Sequence, residues 1–167
     1  MYPDVISGKE SCVSLLFDMN QLFEAFVCYE LQNAAWRKGF RTRRQGPQRA
    51  FAWRQDIGKE VFVMKPDLSL LNKSDQPVAI ADAKWKVLDE SERTLGISPA
   101  DMYQMASYAS RYEVEWVMLV YPSQQTLTTP VQLILKESGM KLLILPFDIT
   151  AKTNAHLEKF LGGINAC

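Results

Sequence analysis

The chain has 167 residues, of which 47% are hydrophobic and 23% are charged, and its 19 basic residues balance its 19 acidic ones. These values exclude a disordered, fibrous or strongly basic protein and predict one globular domain spanning residues 1–167. The three cysteines have no paired spacing, which argues against a disulfide framework, a zinc ribbon or an iron–sulfur cluster and favours a reducing compartment.

Neither the first residues of the sequence nor its longest uncharged run has the pattern of a signal peptide or a membrane anchor. Residues 1–13 lack the basic and apolar parts of a signal peptide and are interpreted as a leader segment. The uncharged run from Trp116 to Leu135 is interrupted too often by proline, glutamine and threonine to cross a membrane. We therefore expect a cytoplasmic protein without membrane contact.

The first predicted element is a helix over residues 14–38, where apolar residues recur at helical spacing before Gly39. Residues 39–86 follow with short segments of strand character, and the turn cluster NKSDQP separates the last two. These segments are FRTRR, AFAWRQ, EVFVMKPDLSLL and PVAIADAKW. Together they predict a β-meander.

The second half of the chain begins with a predicted helix over residues 98–112, since Ser98 and Pro99 have the pattern of a helix cap and first turn. Residues 115–167 contain three more apolar strand segments and a short helix from about Asn154 to Leu161. The order of elements predicts an α/β fold, with a mixed central β-sheet flanked by helices.

The segment AIADAKWK, residues 79–86, combines a buried strand pattern with two charges. In a strand, Ile80, Asp82 and Lys84 share one face, and the other face is apolar. Asp67 lies 15 residues before Asp82, with the turn cluster almost midway, so a hairpin would bring the two carboxylates together. Uncompensated charges in a sheet are costly, which favours a functional role for these residues.

Two neighbouring carboxylates repel each other unless a cation lies between them, and Mg²⁺ prefers oxygen ligands while sharing its shell with water and phosphate. Lys84 is placed to orient or help deprotonate a water and to offset charge on a phosphate. The pattern indicates phosphodiester hydrolysis. A solvent-exposed turn at Asp67 and an ordinary ion pair of Asp82 with Lys84 are the alternative interpretation.

A basic segment lies between Leu31 and Gln55, where no acidic residue occurs. Phosphate contact is the favoured role of its arginines, whereas packing against the core is favoured over base stacking for its aromatic residues. The basic residues are Arg37, Lys38, Arg41, Arg43, Arg44, Arg49 and Arg54, and the aromatic ones are Trp36, Phe40, Phe51 and Trp53.

Four blocks in order resemble the nuclease domain of McrC, the cleaving subunit of McrBC-type restriction systems for modified DNA, in the PD-(D/E)XK nuclease superfamily. They are LLFDMNQLFEAFV, KPDLSLL, AIADAKWK and DMYQMASYASRY, and the resemblance runs from about Leu15 to Tyr121. It implies a restriction-endonuclease-like core and a DNA endonuclease that uses Mg²⁺, with Mn²⁺ as a substitute.

The resemblance also assigns roles by position, with Lys84 as the catalytic lysine. Glu24, in LFEAF, matches the glutamate that the first helix of such nucleases lends to the metal site. Projection of that helix instead singles out Glu30 as the acid within the apolar arc. We rank Glu24 first, as the resemblance implies, and Glu30 second. The implied metal site comprises Asp67, Asp82, Ala83 and Glu24.

Gln104 and Tyr108 are four residues apart and therefore share one face of the second helix. This QxxxY spacing resembles an element that helps hold the DNA and the active site in RecB-like nucleases, whereas the spacing alone would suit helix surface and core edge. The expected DNA contacts are Gln104, Tyr108, Arg41, Arg43 and Arg44.

The resemblance implies a GTP-hydrolysing AAA+ partner of the McrB type. McrC subunits usually carry an additional N-terminal region that engages this motor, whereas about 14 residues precede the first predicted helix here, so we expect either a fragment or another partner. Two further hypotheses are a catalytically silent nucleic-acid-binding module of the same fold and a related nuclease of repair or mobile-element defence.

Overall fold

The computed structural model describes residues 18–125, 127–151 and 154–164. Cys12, Cys167 and residues 14–17 of the first predicted helix lie outside this part of the chain. The elements are α1 Met19–Arg37, β1 Arg41–Arg44, β2 Arg49–Arg54, β3 Lys59–Met64, β4 Leu68–Leu71, β5 Pro77–Ala83, α2 Pro99–Tyr112, β6 Trp116–Pro122, β7 Val131–Ile134, β8 Lys141–Phe147 and α3 Ala155–Gly163.

A six-stranded sheet in the order β1-β4-β5-β6-β8-β7 forms the centre of the fold. β6 runs parallel to β5 and to β8, and the other neighbours are antiparallel. Helices α1 and α3 pack with one apolar cluster, and α2 packs with a second cluster on the opposite face. The predicted α/β fold with a mixed sheet flanked by helices is confirmed.

The predicted β-meander is wrong in one respect, because β2 and β3 form a separate two-stranded sheet and β1 pairs with β4. The segment EVFVMKPDLSLL therefore divides into two strands that belong to different sheets. Pro66 lies in the break, where a residue without a backbone N–H cannot continue a strand ladder. The hairpin of β4 and β5 has the predicted antiparallel pairing.

Local capping explains where the helices begin. The Asp18 side chain accepts hydrogen bonds from the backbone N–H groups of Asn20 and Gln21 at the start of α1, and Ser98 accepts one from Asp101 at the start of α2. Helix α3 continues through Gly163, two residues beyond its predicted end. Among the described residues, no helix is both long enough and apolar enough to span a membrane.

Candidate active site

Asp82 lies near the end of β5, between β4 and β6 in the sheet. Ala79 and Ala81 on this strand pack with the α1 cluster, whereas Ile80 packs with the α2 cluster. By the two-residue period of a strand, Asp82 shares the face of Ile80 and points towards α2. Its residue surface is only 2% exposed, so the carboxylate is held inside the protein.

The β4–β5 hairpin brings Asp67 to the same place. Leu68 pairs with Ala81, so the register sets Asp67, one residue earlier, opposite Asp82. The Asp67 carboxylate accepts a hydrogen bond of 2.8 Å from the backbone N–H of Ala83. This bond fixes the side chain against the end of β5, so the β4–β5 hairpin places Asp67 at the same end of the sheet as Asp82.

Burial and mutual repulsion make the two carboxylates costly to ionise. Burial raises the pKa of Asp67 to about 7, with the charge of Asp82 adding to the shift, although the Ala83 hydrogen bond opposes it. Burial also raises the pKa of Asp82, although the Lys84 ammonium opposes that rise. A cation between the two carboxylates would remove much of this cost of ionisation.

Lys84 connects these acids to α2. Its ammonium forms an ion pair with Asp82 and donates a hydrogen bond of 3.1 Å to the side-chain oxygen of Gln104. Burial by itself would lower the pKa of Lys84, but the attraction of Asp82 outweighs it, so the pKa is raised. Lys84 is therefore protonated at neutral pH and offers positive charge rather than a free base.

A chain of hydrogen bonds continues from Gln104 to the backbone beside Asp67. The Gln104 amide donates to the Tyr108 hydroxyl at 3.2 Å, and this hydroxyl donates to the Lys65 carbonyl at 3.3 Å. The structure thus brings both residues of the predicted QxxxY element to the acids. The spacing on one helix face makes the contact between them possible.

The two glutamates of α1 differ in their relation to the site. Both are partly buried, but the charge of Glu24 helps to raise the pKa values of Asp67 and Asp82, whereas Glu30 is not one of the main contributors to either shift. The preference for Glu24 over Glu30 agrees with this arrangement. Within the described residues, however, no three His, Cys, Asp or Glu side chains are grouped closely enough to hold a metal.

The donor set nevertheless suits a hard cation. Both acids offer carboxylate oxygens, and among the described residues the buried Oδ2 atom of Asp82 has no hydrogen-bond partner beyond its ion-pair contact with Lys84. Mg²⁺ is commonly held by one or two carboxylates while water and phosphate complete its shell. Asp67 and Asp82 fit such a cation, and the charge of Glu24 acts on both of them.

Most cations of the basic segment already have partners. Arg43 and Arg44 are exposed and have no ion pair among the described residues, although Arg44 lies within hydrogen-bond reach of the Cys28 sulfur. Arg44 pairs with Leu68 across the strands, next to Asp67. The others pair as follows: Arg37 and Lys38 with Glu158, Arg41 with Asp75, Arg54 with Asp56, and Arg49 with the Arg111 carbonyl and the Tyr112 ring.

The prediction that the aromatic residues of this segment pack against the core is wrong for three of the four. Only Phe40 is in the core, whereas Trp36, Phe51 and Trp53 are mainly exposed. Phe51 and Trp53 lie on β2, which pairs with β3 outside the main sheet. The sequence also gave no reason to select Phe62 of β3, whose surface is 77% exposed.

The family model of the McrBC 5-methylcytosine restriction system component matches residues 2–122. The chain belongs to this family. A comparison with curated proteins gave no match.

The fold of this McrBC-family chain is similar to that of a solved structure. The similar chain is part of a Thermococcus gammatolerans assembly of McrB AAA+ hexamers with bound McrC, with a TM-score of 0.58 and 18% sequence identity. The similarity covers 86% of this chain but only 32% of the other. At this identity it establishes a shared fold, and the present chain corresponds to about one third of the larger chain.

Proposed function

We propose that this McrBC-family chain is a Mg²⁺-dependent DNA endonuclease of the PD-(D/E)XK type, the cleaving component of a modification-dependent restriction system. The observation that carries the proposal is the buried pair of Asp67 and Asp82 on neighbouring strands, with Lys84 held beside it. Family membership favours restriction over a nuclease of repair or mobile-element defence.

The side chains divide the chemistry of phosphodiester hydrolysis between them. Asp67 and Asp82, with the Ala83 backbone and Glu24 nearby, would hold Mg²⁺, which when bound polarises a phosphate oxygen and activates water. The Lys84 ammonium offsets negative charge that develops on the phosphate. Gln104 fixes the direction of that ammonium, and Tyr108 ties Gln104 to the backbone before Asp67.

A cleavage assay tests this function. Supercoiled plasmid carrying 5-methylcytosine is incubated with the chain in Mg²⁺, in Mn²⁺ and in a chelator, each with and without an McrB-type AAA+ subunit. We expect nicked or linear DNA in either metal and none in the chelator. Cleavage that persists in the chelator, or its absence under every condition, would reject the proposal.

An AAA+ subunit is included in that assay because of the structural similarity. In the Thermococcus gammatolerans assembly, McrB AAA+ hexamers carry bound McrC. We propose that the present chain also works with a GTP-hydrolysing AAA+ subunit. Greater cleavage when the subunit and GTP are present is the expected result.

A catalytically silent DNA-binding module is the second candidate function. It is favoured by the lack of a three-ligand acidic group among the described residues. It predicts DNA binding with no cleavage in any metal, which the same assay distinguishes from the endonuclease. The raised pKa values of Asp67 and Asp82 favour the endonuclease, because a purely structural module gains nothing from two buried, repelling acids.

The basic edge beside the site gives a prediction about DNA binding. Replacing Arg43 and Arg44 together by glutamine is expected to weaken duplex binding and to reduce the slope of log affinity against log salt by up to about two. Arg41→Gln should have a smaller effect, because Arg41 is already paired with Asp75. Affinities measured by anisotropy across a salt series in chelator check this, and an unchanged slope in the double variant would rule out phosphate contact.

A further inference from the structure

The β2–β3 hairpin presents apolar side chains to solvent outside the main sheet. Phe51 is 58% exposed and Phe62 is 77% exposed. Ala50 pairs with Val63 and Ala52 with Val61, so the register sets Phe51 opposite Phe62. Monomeric proteins rarely keep clustered aromatic surface in water unless it binds something.

The backbone at Phe62 is itself unusual. Its φ is 57°, in the left-handed region that bulky side chains rarely adopt. Such conformations are costly and occur more often at binding sites than elsewhere. The protein therefore maintains an unfavourable backbone at the residue whose ring is the more exposed of the two.

The base of the hairpin is fixed to the end of α2. Arg111 donates a hydrogen bond of 2.7 Å to the Ala50 carbonyl. The Tyr112 hydroxyl lies 2.6 Å from the Pro47 carbonyl and 3.3 Å from the Met64 carbonyl. Because α2 also carries Gln104 and Tyr108, these bonds fix the base of the hairpin relative to the candidate active site.

A groove of about 510 Å³ runs between the hairpin and α2. Phe51 and Phe62 line one side, Gln104 and Tyr108 line the other, and Lys65 is the one charged residue among those lining it. Gln104 also accepts the hydrogen bond from Lys84, so one end of the groove reaches the catalytic lysine of the proposed nuclease. Its volume is that of a small-molecule site.

We propose that this groove binds an unstacked base of the DNA strand next to the cleaved phosphate, with the base stacked on Phe51 and Phe62. The inference rests on the proposed nuclease function. Aromatic rings beside a cation, with no acid in the lining, are the composition of surfaces that bind single-stranded nucleic acid. A protein seated in the groove would cover Gln104 and obstruct DNA at Lys84, which favours DNA as the occupant.

Binding of a labelled single-stranded oligonucleotide in chelator tests the groove without cleavage. The double variant Phe51→Ala and Phe62→Ala is expected to bind at least about tenfold more weakly than the wild type, with an unchanged salt slope, because stacking and not charge is lost. Phe62→Trp should retain binding. Trp53→Ala is the matched control, since Trp53 is 62% exposed on the same hairpin but does not line the groove.

Three outcomes would overturn the inference. Wild-type affinity in the double variant would show that the rings do not contact DNA, and an equal loss in Trp53→Ala would show that the groove is not the site. Unchanged DNA affinity with lost binding of an McrB-type AAA+ subunit would assign the hairpin to a protein partner. The proposed nuclease function would survive each of these results, because metal-dependent plasmid cleavage tests it separately.

Discussion

Replacement of Asp82 by asparagine is expected to lower the rate of Mg²⁺-dependent DNA cleavage by at least about a thousandfold. Asparagine keeps the size of the side chain but removes the charge that would hold the cation and that now holds the Lys84 ammonium. Lys84→Ala should cause a comparable loss, since the phosphate would lose its positive partner. Initial rates of plasmid cleavage at saturating metal measure both effects.

Asp75→Asn is the matched control for this experiment. Asp75 lies in the turn at the other end of the same β4–β5 hairpin, where it pairs with Arg41 on the surface. Its replacement should leave the cleavage rate close to that of the wild type. Near wild-type cleavage by the Asp82 variant would mean that this carboxylate does not bind the metal, and the proposed site would be wrong.

In the metal-free protein, Asp67→Asn is expected to raise the free energy of unfolding more at pH 8 than at pH 5, by on the order of 2 kcal/mol. The folded-state pKa of Asp67 is raised to about 7, mainly by burial and then by Asp82. The folded chain therefore holds this proton more tightly than the unfolded chain. The resulting stability is complete below the ordinary pKa of aspartate and is lost as the pH rises through about 7, whereas asparagine does not titrate.

Chemical denaturation in chelator at the two pH values measures this difference. Asp89→Asn is a suitable control, because hydrogen bonds from Ser91 lower the pKa of this exposed carboxyl and its small contribution has the opposite sign. Added Mg²⁺ should stabilise the wild type more than the Asp67 variant, since binding to the folded state alone favours folding. Equal pH dependence of the wild type and the Asp67 variant would contradict the raised pKa of the Asp67 carboxyl.

The parts of the site that depend on local pattern could be predicted from the sequence. The alternation in AIADAKWK fixes which face of β5 carries Asp82, and the turn cluster before it sets the hairpin that brings Asp67 opposite. The cap at Ser98 fixes where α2 starts, and the spacing of four residues places Gln104 and Tyr108 on one face. Each of these features is decided within a few residues of chain.

The features that depend on distant partners could not be predicted in the same way. Strand β1 pairs with β4 and leaves β2 and β3 as a separate hairpin, so Phe51 is exposed although its strand has an ordinary apolar pattern. The ion pair of Arg41 with Asp75 also joins distant parts of the chain. It gives Arg41 an acidic partner that Arg43 and Arg44 lack among the described residues. Strand propensity and charge runs do not contain that information.

Anomalous diffraction from crystals soaked in Mn²⁺ tests most directly whether Asp67 and Asp82 share one cation. We expect a Mn²⁺ ion bound by oxygens of both carboxylates, with the Lys84 ammonium released from Asp82 towards the position of a phosphate. The peak should be lost in crystals of the Asp82→Asn variant. Mn²⁺ bound only at other positions, in a protein that cleaves DNA with this metal, would contradict a shared cation site at Asp67 and Asp82.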